Sequence, residues 1–524
     1  MEHSVVDRSF VLGIDGVPWD LLSRWAQSGE LENFQRLFES GTAGPLESTV
    51  PPTTALAWPS IATGVRPDKH GIYSFRKLTK DHENTINTSN DVEQPPLWDL
   101  CSPSIVANVP MTYPARSIDG QMVTGMMTPG RDEGFTHPTE LAGEIEEDIP
   151  DYEIGLSWLD YHDREDEFLE DLSDLLAARR SLMRHLMETD EWELFFFVYT
   201  EPDRLQHLIW DEEVILNHYR ELDAILGEVL EYVNEHHANL FVVSDHGFGP
   251  ISKYVYVNTI LEEAGLMSRK DSSGSRSALE RVGLRKDRVR GMLQKARLEK
   301  SLLAALPDPI VNNVASRIPG EHKLFDVDFA DTKAFSYGYG GVYVNDSERF
   351  ENGFVDSSER TAVKEEVKVS LNEFANSRSP SPISVYDGAD VYPTDPDAPD
   401  LVVVGNDEYE VKTSLSESPV TDSGEKAGSH HSEGVFLATG PNVERGKRIE
   451  GATVFDVVPT LLQSRLDPLP AERDGEVLDI FEQTSQPATE DPEEESYRPD
   501  NEVVSYSEEF DDVEDRLKGL GYIE

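Results

Sequence analysis

Apolar positions along the chain fall into short runs that end on acidic or glycine-containing turns. Ser9 to Ile14 (SFVLGI) stops at Asp15-Gly16, and LFFFVYTEPD (194–203), NLFVVSDHG (239–247), DLVVVGND (400–407) and GVFLATGP (434–441) repeat that shape. Continuous apolar runs of this length, without alternation, read as strands buried on both faces. Segments with helical spacing separate most of them, as at Trp19 to Ser40 and Asp163 to Thr189. The pattern predicts an α/β fold: a doubly wound, mainly parallel sheet flanked by helices. Ligands of such sheets bind at the carboxyl ends of the strands, where polar residues collect here. Pro103 to Val109 adds a strand, Pro110 to Pro114 a stiff loop, and no internal repeat is present.

Three stretches depart from this pattern. Phe335 to Asn345 (FSYGYGGVYVN) is strand-like, with glycines that permit a bulge or a close approach. Arg269 to Lys300 carries eleven basic residues against four acidic ones and leads into helical spacing, which reads as an inserted basic helical unit solvated against an acidic body. Gln483 to Asn501 is rich in Glu, Pro and Ser, as in a disordered tether, and a short docking helix is expected after it. The expected organisation is a catalytic core over 1–265 and 325–482, an insertion at 266–324, a tether at 483–505 and a terminal helix at 506–524.

The charge narrows the partners. With 101 acidic and 46 basic residues the net charge is −55, which repels nucleic acid and anionic membranes and suits a salt-rich cytoplasm. A single cysteine, Cys101, excludes an intrachain disulfide framework and any thiolate metal cluster. The start, MEHSVVDRSFVLGID, lacks the features of a signal peptide, and no apolar run approaches ~18 residues, so a soluble cytoplasmic protein is expected.

Candidate chemistry centres on Ser48 to Ile72, STVPPTTALAWPSIATGVRPDKHGI. Val50-Pro51-Pro52 is extended, Thr53 or Thr54 occupies a helix start, Ala55 to Thr63 is a short helix interrupted by Pro59, and Gly64 stops it. An anion beside that threonine meets free backbone N–H groups and the positive end of a helix dipole. Asp203 and His207 are four residues apart, on one face if helical. Taken alone, that spacing reads first as a structural hydrogen-bonded pair and only second as a ligand pair. Asp245 and His246 follow a strand and can reach one ion only if the chain turns at Gly247 or Gly249. His70 reads as a packing or hydrogen-bonding residue, and His236-His237 as the solvent-facing end of a polar helix. Cys101 to Ile105 resembles a sulfatase motif only in part, because Ile105 stands where that motif has arginine.

The Ser48 to Ile72 stretch resembles the nucleophile segment of the type I phosphodiesterase/nucleotide pyrophosphatase family, within the alkaline phosphatase superfamily. Thr63-Gly64, Pro67 and His70-Gly71-Ile72 match its TG-x-x-P-x-x-HGI signature, and the nine-residue step back to the nucleophile falls on Thr54. Asp15, Thr54, Asp203-x-x-x-His207, Asp245-His246 and Gly428-Ser429-His430 follow the order of that superfamily's metal ligands. IDGVPWDLL, NVPMTYP, FDVVPTLL and Asp474-Gly475 resemble its framework segments, so the likeness runs from about Ser9 to Gly475.

The resemblance implies two divalent ions, zinc first and manganese as the alternative. One would be held by Asp15, Asp245, His246 and the Thr54 oxygen, the other by Asp203, His207 and His430. His430 is preferred over His431 because the family pattern is Gly-x-His. The implied reaction is hydrolysis of a small phosphoester, such as a nucleotide or nucleotide-sugar, by attack of Thr54 on phosphorus with the ions about 4 Å apart. One departure concerns the asparagine that the family places just beyond HGI. Here the neighbourhood is Tyr73-Ser74-Phe75-Arg76-Lys77, and Arg76 becomes the candidate phosphate contact. Trp58, Phe75 and Tyr113 are candidate stacking surfaces for a base, each also readable as a core or rim aromatic. The alternatives are a phosphomonoesterase or phosphoglycerate-mutase-like phosphotransferase, and a non-catalytic metal-binding protein that recruits partners through its basic insertion.

Overall fold

The computed structural model describes residues 6–131, 134–161, 163–270, 324, 327–424 and 426–482. The expected tether and terminal helix, and most of the expected basic insertion, lie outside the described residues.

The strand Ser9–Ile14 forms the centre of a ten-stranded sheet. It runs parallel to Leu194–Tyr199 on one side and to Asn239–Val243 on the other, with Phe10 opposite Phe195 and Leu240. Its side chains alternate between two cores. Phe10, Leu12 and Ile14 join one buried cluster, and Val11 joins another on the opposite face. Both faces are covered by helices, which is why the run is apolar throughout. Ser104–Ala107 and Gly120–Val123 extend the parallel order. On the other side Glu433–Thr439 and then Thr42–Glu47 join as antiparallel neighbours. The doubly wound, mainly parallel sheet expected from the sequence is therefore present.

One strand reading is corrected. Leu401–Gly405 does not join the main sheet. It belongs to a four-stranded antiparallel sheet with Ala334–Tyr337, Gly341–Val344 and Ile383–Asp387. The Phe335 to Asn345 stretch, strand-like as expected, forms a hairpin of that sheet. Its turn uses Gly338 and Gly340 at φ of 66° and 90°, and a Cβ on Gly340 would stand 2.1 Å from the Val403 carbonyl oxygen. Helices Val257–Glu263 and Arg360–Asn376 close over the second sheet with Ile260, Leu261, Val367 and Leu371 buried in its own cluster.

Among the described residues no helix is long and apolar enough to cross a membrane. The net charge of −55 has a measurable consequence, because self-repulsion opposes compaction until salt screens it. The thermal midpoint is expected to rise by several degrees between ~0.1 and ~2 M KCl. A midpoint that falls over that range in differential scanning calorimetry would contradict the salt-adapted reading.

Candidate active site

The segment that holds Thr54 is a buried helix, Thr54–Thr63, apolar on nearly every side. Thr53 takes the N-cap position in extended conformation, and Gly64 ends the helix at φ 74°. Thr53 holds that position without a side-chain cap hydrogen bond, and the hydroxyl of Thr54, one residue on, lies 3.2 Å from His246 Nε2. Trp58, considered above as a stacking surface, is instead wholly buried, and its indole N–H donates to Asp15 Oδ2 at 3.0 Å. Gly13 makes room for it, since a Cβ there would meet the Trp58 ring at 2.4 Å.

Asp15 leaves the end of the central strand, where the chain turns at Gly16 with φ 72°. The neighbouring strand end is pinned to this turn. Val17 N–H donates to Ser244 Oγ at 2.8 Å, Ser244 Oγ donates to the His246 carbonyl at 2.8 Å, and Gly16 N–H donates to Asp245 Oδ1 at 3.3 Å. The bend so fixed turns Asp245 and His246 to one point. His246 Nε2 is 3.3 Å from Asp245 Oδ2 and 3.5 Å from Asp15 Oδ1.

Asp203 and His207 lie on the helix Glu201–Leu208, one turn apart, with His207 Nε2 3.3 Å from Asp203 Oδ1. His430 arrives on Gly428–His431, which pairs antiparallel with Gly247–Pro250 so that His430 stands opposite Phe248. Its Nε2 lies 3.1 Å from the same Asp203 oxygen. His431 alternates to the other side, against Gly249, and does not enter the cluster. The two groups, Asp15–Asp245–His246 and Asp203–His207–His430, each bring three donor atoms within 4.8 Å of one another. They adjoin through the His246 and His430 rings, stacked with centroids 4.0 Å apart.

Their hydrogen bonding suits a cation. Asp15 Oδ1, Asp203 Oδ1 and Asp245 Oδ2 are buried without a hydrogen-bond partner, although each faces imidazole nitrogen. A carbonyl can only accept, so His207 Nδ1–H donates to Gly428 O at 3.2 Å and His246 Nδ1–H to Gly247 O at 2.9 Å. In the neutral ring each Nε2 then carries a lone pair aimed at carboxylate oxygen. Burial keeps these rings neutral, lowering His207 to about 4 and His246 well below its usual range. Burial, followed by neighbouring carboxylates, raises Asp15 and Asp245 well above theirs. Asp203 goes the other way: burial would raise it, but His207 and His430 hold it well below. Lone pairs converging on lone pairs, with oxygen and nitrogen donors and no thiolate, fit zinc or manganese.

A cavity of about 120 Å³ opens on this arrangement, lined by Thr54, His207 and His430 together with Phe75 and Arg76. Sequence reasoning missed several other lining residues, Trp158, Lys426 and Glu410 among them. Trp158 stacks on His207 with centroids 5.4 Å apart, and Lys426 pairs at 2.6 Å with Glu410 from the strand beside the second sheet. The nearest signal was the position of Lys426, two residues before Gly428. Tyr113 is buried and is not among the residues lining this cavity. His236 bonds its own helix at Tyr232 O, and His237 is exposed.

His70 is structural in its contacts. Its Nδ1 accepts from Ile72 N–H at 3.2 Å, which leaves Nε2–H for Ser60 Oγ at 3.0 Å. Burial lowers its pKa to about 3, so the folded protein holds it neutral while an unfolded chain takes up a proton below ~6.5. Acidification from about pH 6.5 towards 3 should therefore cost stability through this residue, up to about 1.4 kcal/mol per pH unit, with no contribution above that window. Denaturant titrations of wild type and His70→Gln check this. Equal slopes of stability against pH in the two proteins would refute it.

The sheet with helices on both faces and chemistry at its strand ends is an alkaline phosphatase-like α/β fold. The chain belongs to the type I phosphodiesterase/nucleotide pyrophosphatase family, whose model matches residues 10–433, and it is a hydrolase acting on phosphoester bonds. Among solved structures, human ectonucleotide pyrophosphatase/phosphodiesterase 5 is similar in fold, with a TM-score of 0.52 at 13% identity over 91% of this chain and 100% of that one. An inactive form of the murine protein in complex with AMP aligns with a TM-score of 0.47 at 14% identity, over 87% of this chain and 94% of that one. No curated protein matches.

Proposed function

We propose that the protein is a metal-dependent phosphodiesterase or nucleotide pyrophosphatase in which Thr54 is the nucleophile. The observation that carries this is the Thr54 hydroxyl, uncommitted to capping, 3.2 Å from His246 at the junction of two carboxylate–imidazole clusters. Asp15, Asp245, His246 and Thr54 would hold one divalent ion and Asp203, His207 and His430 a second. When bound, such ions supply Lewis acidity that activates the hydroxyl and stabilises the leaving oxygen.

Thr54 Oγ1 forms the bond to phosphorus as the bond to the departing ester oxygen breaks, giving a phosphothreonine. Water then cleaves that ester, releasing phosphate or a phosphomonoester and regenerating the hydroxyl. The helix begins at Thr54, where the Thr54 and Ala55 N–H groups precede the first turn's bonds from Leu56 and Ala57 N–H to the Thr53 carbonyl, and a helix start favours an adjacent anion. Arg76 and Lys426 line the same cavity and offset phosphate charge. A nucleotide or nucleotide-sugar is the substrate class best matched to this reading.

Those two cations favour a second reading, a phosphomonoesterase, because a dianion gains more from them than a diester does. Metal analysis of the purified protein, with rates on bis-nitrophenyl phosphate and nitrophenyl phosphate in molar KCl, separates the two. A diester rate at least about tenfold above the monoester rate is expected; the reverse order would replace the first reading by the second.

A further inference from the structure

Beyond the catalytic cavity lies a larger one of about 670 Å³, within the ordinary size of ligand sites. The two are neighbours in a literal sense, since Ser74, Arg76, Tyr337, Gly338 and Tyr339 line both. A ligand with its phosphorus beside Thr54 extends past Arg76 into this space. The wall is formed where the segment after His70 meets the hairpin and loops of the second sheet.

The lining has a definite chemistry. Five tyrosines face it, and its four basic side chains are matched by four acidic ones. In a chain of net charge −55 the basic residues are locally concentrated here, yet they give no positive excess such as a second phosphate would require. Tyrosine faces with carboxylate acceptors suit a neutral ring that bears many hydroxyl donors. Two carboxylates are prepared for that use. Asp395 accepts from Tyr73 O–H at 2.6 Å through Oδ2 and from Asp397 N–H at 2.8 Å through Oδ1, which fixes its orientation. Asp68 accepts from Thr394 at 2.6 Å and 2.8 Å through Oδ2, while its Oδ1 is buried in the wall without a hydrogen-bond partner.

We infer that this cavity is a subsite for the glycosyl group of a glycosyl phosphoester, oriented by Tyr73, Asp68 and Asp395. The inference rests on the phosphoesterase reading of Thr54 and adds what the ester carries. A nucleobase is the competing occupant, but its N–H donors lie in the plane of one ring edge, whereas a sugar presents hydroxyl donors around its whole ring to carboxylates set apart in the wall.

The test uses binding and turnover separately. Full-length Thr54→Ala protein, with the metal it purifies with, is titrated calorimetrically with glucose 1-phosphate, methyl phosphate and AMP. Glucose 1-phosphate is expected to bind at least about tenfold more tightly than methyl phosphate, and the advantage to shrink at least about fivefold when Asp395→Asn is added. Equal affinities for the two phosphates, or an AMP preference that Asp395→Asn removes, would overturn the inference. In active protein the ratio of kcat/KM on UDP-glucose to that on methyl nitrophenyl phosphate should fall by a similar factor in Asp395→Asn and Tyr73→Phe, and an unchanged ratio in both counts against it. Absence of turnover on every ester would sink the reading of Thr54 while the titration still decides the subsite.

Discussion

Replacing Thr54 by alanine should lower kcat on a nitrophenyl phosphodiester by at least about a thousandfold, with the thermal midpoint and metal content close to those of wild type. The expectation follows from what the hydroxyl does and does not touch. It caps no helix, because Thr53 occupies that position, and its one hydrogen-bond contact is the 3.2 Å approach to His246. Thr54 is buried at the first position of its helix, where alanine is a good helix former, so the fold should survive the change. Thr54→Ser, which keeps the oxygen, should recover most of the loss. The proposal fails if the alanine variant retains wild-type turnover, or if serine is no better than alanine. Trapping a phosphorylated chain by acid quench, present in wild type and absent in Thr54→Ala, would tie the loss to nucleophilic attack.

The sequence carried most of this candidate site because its carboxylates and imidazoles sit where short apolar runs end. Asp15, Asp245 and His246 follow strands buried on both faces, and such runs are visible without tertiary information. Asp203 and His207 are legible for a different reason: four residues is one helical turn. The helix spacing did not reveal that His430 would meet the same Asp203 oxygen. That contact depends on a two-stranded pairing between Gly247–Pro250 and Gly428–His431, formed across a large separation in sequence.

What stayed hidden is of the same kind. Five apolar residues in a row do not say which sheet they enter or in which direction, so Leu401–Gly405 was indistinguishable from a main-sheet strand. The cavity residues supplied by the second sheet and its neighbouring strands, Tyr343 and Glu410 among them, were hidden with it. Trp58 shows the limit at a single position. Its partner is fixed by the missing side chain at Gly13, and no local pattern around either residue announces that contact.

The second large effect is expected at Asp203. In Asp203→Ala, metal content should fall from about two ions per chain to about one, and kcat/KM on the diester should drop at least about a thousandfold. Asp203 Oδ1 is the atom both imidazoles of its cluster share, at 3.3 Å from His207 and 3.1 Å from His430. Without it, two ring nitrogens 3.2 Å apart remain, too few donors for a tetrahedral site that must also admit substrate. Asp15, Asp245 and His246 are untouched by the change, so one ion should persist. His431→Ala is the matched control, since that ring lies on the other side of the strand against Gly249. It should leave metal content and rate within about twofold of wild type. Mass spectrometric metal analysis alongside the kinetics settles the matter. A full complement of metal in Asp203→Ala, or its loss in His431→Ala, would show that the second ion is held elsewhere. Chelation of wild type should abolish activity, and zinc or manganese should restore it; chelator resistance with no metal detected would remove both ions from the mechanism.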